Sequence, residues 1–501
     1  MRLVHANRFV FFMTLLVLVA RTASGQEIPT QVIAQNRTGD LPFSTSIGND
    51  IEHVDVASGS VVLNIPIAGT KGRGMDYHFG LNYNALFWVG APRVDSQGNT
   101  YHVWKLEKRN QTLTQLGWEL DTPYTTHVVQ GFPCQIRGII NFLMNYIYED
   151  SSGGKHPFIA QTTFGGNCST PDPLGPDTGQ QGMLANLTSN NLYLADGSFI
   201  SAVTAPGGLP WTNPNGNSQS DTTDTLGRSG YTKTTGTNQI IYSVNDSAGT
   251  PRSYTLNLGT ITIQTTWGSG AFGSYRDFPA SSASVISSIV LPNGQSYQFQ
   301  YEPSSYGGLT RVDFPTGAYV TYTWATADSL EKKYRYVASR TLHVDGQTYT
   351  WNFTRTSGDE GATETVVDPL SQTSVFQISY GAVTQAQIYS GAATGTPMRS
   401  YWIEYVHDGD PFNDLCQLGI GDPHIDPWVG NRPIRITTTL DNNLVSKKEF
   451  DYETFTYTYH RADMVVMAGM WRPLSLLVAG MFLKFANTIG AAAHLGRCFA
   501  G

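Results

Sequence analysis

The residues of this chain best suited to hold a charge or a metal ion sit in two neighbouring loops. The stretch "DGDPFND" places Asp408, Asp410, Asn413 and Asp414 within one turn-rich segment, and these are the hard oxygen donors that calcium takes. "GDPHIDPW" follows with Asp422, His424 and Asp426, a mixed oxygen and nitrogen set suited to a transition metal. Both stretches also have an ordinary reading, because Asp and Asn side chains in solvated turns bond their own backbone. Neither completes a full ligand loop. The sequence therefore predicts no resident cofactor, with calcium at the Asp408 loop as the candidate to check.

Signatures of bond-making chemistry are scarcer still. Neither the G-x-S-x-G of a nucleophile elbow nor the H-E-x-x-H of a zinc protease is written in the chain. "GSGAFG" at 268–273 fits G-x-G-x-x-G but leads into "SYRDFPASSAS" rather than a helix, so it reads as turn glycine. The 11 histidines are scattered, and a Ser, His and Asp set would have to be assembled by the fold alone. The expectation is a protein that is not an enzyme.

The elements that must position any site are strands. Charged residues make up only 14% of the 501 residues, aromatics make up 12%, and 51 Gly and 25 Pro accompany abundant Thr, Ser and Asn. That mixture favours strands and tight turns over helices. The length allows several domains or one extended repeat. A net charge of -8 gives no electrostatic footprint for nucleic acid, whose phosphates demand clustered cations.

Residues 1–25 read as a secretory leader, with Arg2 and Arg8 ahead of an apolar run from Phe9 to Ala20 and small residues at Ala23, Ser24 and Gly25. The competing reading is an uncleaved anchor, but the run is short for a membrane span. The predicted location is outside the cytoplasm, secreted or at the cell surface or envelope. In such an oxidising compartment Cys134 and Cys168, which share one polar, turn-rich region, predict a disulfide. Whether Cys416 pairs with Cys498 is left open by sequence.

Along the chain, "VVLNIPI" places Val61, Leu63, Ile65 and Ile67 on one face, and "YHFGLNYN" does the same with Tyr77, Phe79, Leu81 and Tyr83. This predicts a hairpin with Pro66 at an edge or bulge. "IRGIINFLMNYIYED" at 136–150 fits either strands or a buried helix. Stretches at 169–182 and 205–230 are rich in Pro, Gly, Asn and Ser, and the first marks a boundary between an N-terminal β domain over 26–175 and a repeat region over 176–459.

The repeat is written most clearly in "LPNGQSYQFQY" at 291–301 and "FPTGAYVTYTW" at 314–324, where Gly294 matches Gly317 and Phe299 matches Tyr322. "VDGQTYTWNF" adds Gly346 with Tyr349, Trp351 and Phe353, and "VVDPLSQTSVFQISY" puts Ser371 where the others have Gly. Gly at the tip takes a positive φ, and alternating aromatics fill one strand face. Each unit is a hairpin that buries its aromatic face only by stacking on neighbours. Tyr297, Phe299, Tyr301, Tyr322, Trp324, Tyr349, Trp351 and Phe353 are accordingly predicted to be core. The alternatives are unrelated hairpins in a β-sandwich, or aromatics lining a sugar-binding face.

Residues 460–501 break the alternation and are rich in Met and Ala. They read as a translated frame slip, a helical cap or a membrane-contacting tail over 464–485, their apolar runs cut short at Arg472-Pro473 and Lys484.

These residues together resemble the rearrangement-hotspot (RHS), or YD-repeat, family of exported bacterial proteins. "VDVASGSVVLNIPIAGTKGRGMDYHFGLNYN" at 54–84 is similar to the family's N-terminal lead-in. The repeats over 289–380 resemble the YD unit, as does "RPIRITTTLDNNLVSKKEFDYE" at 432–453 with its Asp451-Tyr452. The resemblance implies hairpins wound into a β-strip shell that in some members encloses a toxic domain and in others engages glycans or neighbouring cells. The chain departs from the family in carrying neither the conserved-core end nor a recognisable toxin domain. The fold expected is all-β, hairpin repeats stacked into an extended or shell-like sheet behind an N-terminal β domain. The function expected is scaffolding, with the rest of a longer RHS-like polypeptide or a cell-surface glycan as partner. A carbohydrate-binding module and a secreted hydrolase are the alternatives.

Overall fold

The computed structural model describes residues 45–406, apart from connecting stretches between strands, together with 432–450, 454–459 and 474–479. The described chain is all-β and almost wholly antiparallel. Its largest element is a 15-stranded antiparallel sheet running from Thr232–Thr235 to Val445–Glu449, in which neighbours in space follow one another in sequence apart from the short Tyr275–Arg276 strand, which joins another sheet. Tight turns join several of these strands, and their tip residues have the conformation their sequence demands. Gly294, Gly317 and Gly346 have φ of 84°, 90° and 71°, and Ser371 takes the same place with φ 62°.

Alternation decides which face is buried. In Ser296–Tyr301, Tyr297 and Phe299 are buried while the alternating Gln298 and Gln300 are exposed. Cross-strand register then lines up inward rows, one of which runs Phe299, Val312, Val320, Leu342, Tyr349 over five consecutive strands. The opposite face is mostly polar, with Gln298, Gln300 and Thr323 on it, but it also carries Tyr319, His343 and Trp402. Both edge strands carry lysine, Lys233 at one end and Lys447 with Lys448 at the other, the usual device against edge-to-edge pairing.

The inward face is covered by a second, five-stranded sheet built from Ser46–Gly48, Glu52–Asp55, Ser60–Thr70, Tyr77–Asn84 and Trp118–Leu120. The Ser60–Thr70 and Tyr77–Asn84 strands pair as a hairpin, with a register shift at Pro66, because proline cannot donate to the ladder. Val61, Leu63, Ile65, Leu81 and Tyr83 of this sheet share one hydrophobic core with Phe299, Val312, Val320 and Val337 of the large sheet. The regions on either side of residue 175 thus contribute to a single core. Residues 138–149, ambiguous in sequence, form a strand paired with Tyr124–Cys134.

Aromatic and backbone groups stitch the two sheets together. The Trp118 indole N–H donates to the Tyr301 hydroxyl at 2.8 Å, and that hydroxyl donates to the Ile286 carbonyl at 2.7 Å. The Trp118 and Phe299 rings meet edge to face at 4.8 Å. Backbone N–H groups also cross, from Val337 to the Gly59 carbonyl at 2.9 Å and from Leu116 to the Ser284 carbonyl at 2.8 Å.

Candidate functional site

The most unusual chemistry among the described residues lies in this seam, where charged side chains sit inside an otherwise apolar interface. The covering sheet supplies Glu52 and Asp55 from one short strand. Asn49 precedes them, and its side-chain oxygen accepts from the N–H groups of Ile51 and Glu52 at 2.9 and 3.0 Å, which fixes the entry of that strand. The Asp55 carboxylate accepts from the N–H groups of Ala57 and Ser58 at 3.2 and 3.1 Å and shapes the turn that follows. Gly59 closes the turn with φ 69°, and a Cβ there would lie 2.5 Å from the Cβ of Tyr336. Glycine is therefore required twice over, by dihedral and by contact.

The large sheet supplies Tyr322, Arg340, Arg355 and Glu364, all at inward positions of their strands. Glu52 is fully buried and Arg340 nearly so, and the pair is bidentate. Arg340 Nε lies 2.9 Å from Glu52 Oε1 and Nη2 lies 2.6 Å from Oε2. The Tyr322 hydroxyl donates to Glu52 Oε1 as well. On its other side the Arg340 guanidinium stacks over the Trp351 ring at 4.7 Å. Burial opposes the Arg340 charge, but the hydrogen bonds and charge of Glu52, with Tyr322 beside them, outweigh it and raise the guanidinium's pKa. Burial first, and then Glu52, push the Tyr322 phenol well above its ordinary range, so it stays a donor.

The second pair is looser. Arg355 Nη1 lies 3.3 Å from Glu364 Oε2, and the same guanidinium donates to the Val56 and Ala57 carbonyls of the covering sheet. Neither Glu364 oxygen meets hydrogen-bond geometry. Burial lifts its carboxyl from 4.5 to about 7, with Arg355 pulling down and Asp55 pushing further up. A third pair, Arg335 with Glu302, sits between the rings of Tyr306 and Trp324 at 4.3 and 5.1 Å.

Glu52 with Arg340 and Tyr322, and Arg355 with the Val56 and Ala57 carbonyls, bridge from one sheet to the other and so hold them together. Breaking such a pair costs far more than it contributes over an apolar packing, because the remaining partner is left as an unpaired buried charge. The seam therefore fixes where the covering sheet docks.

The aromatics that sequence marked as core are distributed unevenly. Tyr297, Phe299, Tyr322 and Phe353 are buried, and Tyr301, Trp324 and Trp351 pack half-buried against the same core. Tyr349 is a correction: it is 40% exposed. It occupies the inward face but stands beside the Asp345-Gly346 turn at the end of the row from Phe299, where its neighbour Leu342 is itself only half-buried. Burial along that strand rises from Tyr349 through Trp351 to Phe353 as the covering sheet is reached.

Asp408, Asp410, Asn413 and Asp414 lie outside the described residues, as do Asp422, His424, Asp426 and Cys168. Cys134 ends a described strand, but its side chain is also outside them. Of the tail only a Leu474–Ala479 strand is described, paired with Thr454–Tyr459. Among the described residues no group of three His, Cys, Asp or Glu is placed to hold a metal, and no helix is long and apolar enough to cross a membrane.

Sequence reasoning passed over Glu52, Arg340, Arg355 and Glu364. A signal for three of them was present, since period-two counting places Arg340 with Leu342, Arg355 with Phe353 and Glu364 with Val366 on the core face. A charge at a core position asks for a partner. No family model matches this chain, and no curated protein does, so the likeness to YD-repeat proteins rests on its own residues.

Proposed function

We propose that this chain is an exported scaffold protein of the YD-repeat kind, contributing the lead-in and hairpin repeats of a cell-envelope or secreted shell. The observation that carries the reading is the charged seam. A wide antiparallel sheet with one apolar face needs cover, and the lead-in sheet supplies it at a position fixed by Glu52 and Arg340. The buried Glu52–Arg340 pair thus serves assembly of a wall. Strand-to-strand addition along the large sheet, with polar turns and one mostly polar face, is the architecture of a surface that encloses or displays.

The reading is tested by fractionating cells that express the full chain and treating the fractions with protease. A scaffold of this kind appears in the envelope or medium with its leader removed and leaves a resistant core containing both the lead-in and the repeat strands. Retention in the cytoplasm with residues 1–25 attached would contradict it.

A further inference from the structure

The second buried pair of the seam has a geometry that the first lacks. Arg355 Nη1 stands 3.3 Å from Glu364 Oε2 on its own sheet and 3.3 Å from the Val56 carbonyl on the covering sheet. Both separations are long for a charged donor, so one N–H group is divided evenly between two acceptors. Glu364 is 1% exposed, and among the described residues neither of its oxygens meets hydrogen-bond geometry. Arg340, by contrast, makes close bonds to Glu52 at 2.9 and 2.6 Å.

The covering sheet meets this pair with the turn that follows Glu52–Asp55, and that turn is clamped from two sides. Its carbonyls at Val56 and Ala57 accept from Arg355. Its N–H groups at Ala57 and Ser58 donate to the Asp55 carboxylate, and the Ser58 hydroxyl adds a third bond at 2.5 Å. Gly59 ends the turn so close to the pair that a Cβ there would stand 3.2 Å from Arg355 Nη1.

We propose that Glu364 is a proton-operated latch on the turn over 56–58. With its proton, Glu364 leaves the Arg355 guanidinium to the two carbonyls, and the turn is held on the large sheet. When the proton passes to water, the carboxylate draws Arg355 back to its own sheet and repels Asp55, so both clamps loosen together. A local charge change thus biases an arginine that has two arrangements open to it, which is what a switch requires.

The surroundings of Glu364 set the direction. Burial raises its carboxyl most, Arg355 on the adjacent strand pulls it down, and Asp55 on the covering sheet pushes it up again, to about 7. On its other flank it pairs with Phe376, which is apolar and buried, while Tyr336 packs against Gly59. The remaining charges of the seam are matched, Glu52 with Arg340 and Glu302 with Arg335. Ionising Glu364 therefore leaves two carboxylates facing one guanidinium in a buried site, which burial penalises. The latch is closed in acid and opens as pH rises through neutrality.

This regulation acts on the same seam as the proposed scaffold, but it rests on docking and not on export, so a failed fractionation result leaves it standing. The test is hydrogen exchange of the full chain, read by NMR at pH 6 and pH 8. Val337, whose amide donates to the Gly59 carbonyl on a strand still held by Glu52 and Arg340, is the internal reference. The protection of Ala57 and Ser58 relative to Val337 is expected to fall about tenfold or more between the two pH values. E364Q, which cannot ionise, is expected to keep the pH 6 ratio at pH 8. A 13C titration of the unaltered chain needs no variant: the Glu364 carboxyl and the Ala57 and Ser58 amides should titrate with one midpoint. The inference is overturned if the ratio is the same at both pH values, if E364Q loses it as the unaltered chain does, or if the carboxyl and the two amides titrate with different midpoints.

Discussion

Glu52 and Arg340, 288 residues apart in the chain, form a bidentate ion pair with almost no exposure to solvent. Such a contact carries a large loop-closure cost, and a buried charge is tolerated only when its partner is in place. The pair therefore acts as a test of docking: the covering sheet seats where Glu52 meets Arg340 and Tyr322, and a shifted seating leaves charge stranded in the core.

Removing either partner is expected to be costly. Glu52→Gln and Arg340→Met should each lower the unfolding free energy by about 3–5 kcal/mol, read from denaturant midpoints. The paired change E52L with R340M should cost much less than the two singles added together, since no charge is then left alone. Single losses below about 1 kcal/mol would mean the pair is not buried in solution.

Stability should also depend on pH through Glu364. Its carboxyl is held at about 7 in the folded chain against 4.5 ordinarily, so between those values the folded protein keeps a proton that the unfolded chain has released. The contribution is complete below pH 4.5 and lost as pH rises through 7, on the order of 3 kcal/mol. Glu364→Gln should flatten that part of the profile. Equal pH profiles for the two proteins would remove Glu364 as the source.

Two glycines with the same sign of φ should respond differently to substitution. Gly294 at a repeat tip has φ 84° and open space around a would-be Cβ, so Gly294→Ala should cost only the left-handed backbone penalty of about 1 kcal/mol. At Gly59 the added methyl also meets Tyr336 at 2.5 Å, and Gly59→Ala should cost about 2 kcal/mol more through overpacking in the seam. Thermal melts of the two variants provide the comparison.

The uneven burial of the repeat aromatics predicts an uneven response. Phe299→Ala, in the shared core, should destabilise by about 3–5 kcal/mol. Tyr349→Ala, at the uncovered end of the same inward row, should stay within about 0.5 kcal/mol. Similar losses at both sites would mean that Tyr349 is covered in solution.

Local physics explains which features sequence could deliver. Pro-x-Gly followed by alternating aromatics specifies a turn and a face, so the hairpins at 291–301 and 314–324 and the positive φ of Ser371 in the glycine place were all legible. Tyr349 obeys the same alternation, yet its exposure depends on where another sheet ends. That boundary is set by chain more than 200 residues earlier, and nothing near Tyr349 encodes it. Likewise Arg340 and Glu364 were visible as charges at core positions, but their partners' identities follow only from the docking of the Glu52–Asp55 strand.

The covering sheet and the large sheet form one folded unit held at a charged seam, and native-state hydrogen exchange measures this most directly. The amides of Val337 and Leu116 donate across the two sheets, to Gly59 and Ser284. They should exchange only through global opening, with the same protection free energy and denaturant dependence as Phe299 in the large sheet and Leu63 in the covering sheet. If Val337 and Leu116 exchange at low free energy while Phe299 stays protected, the covering sheet comes away on its own and the account fails.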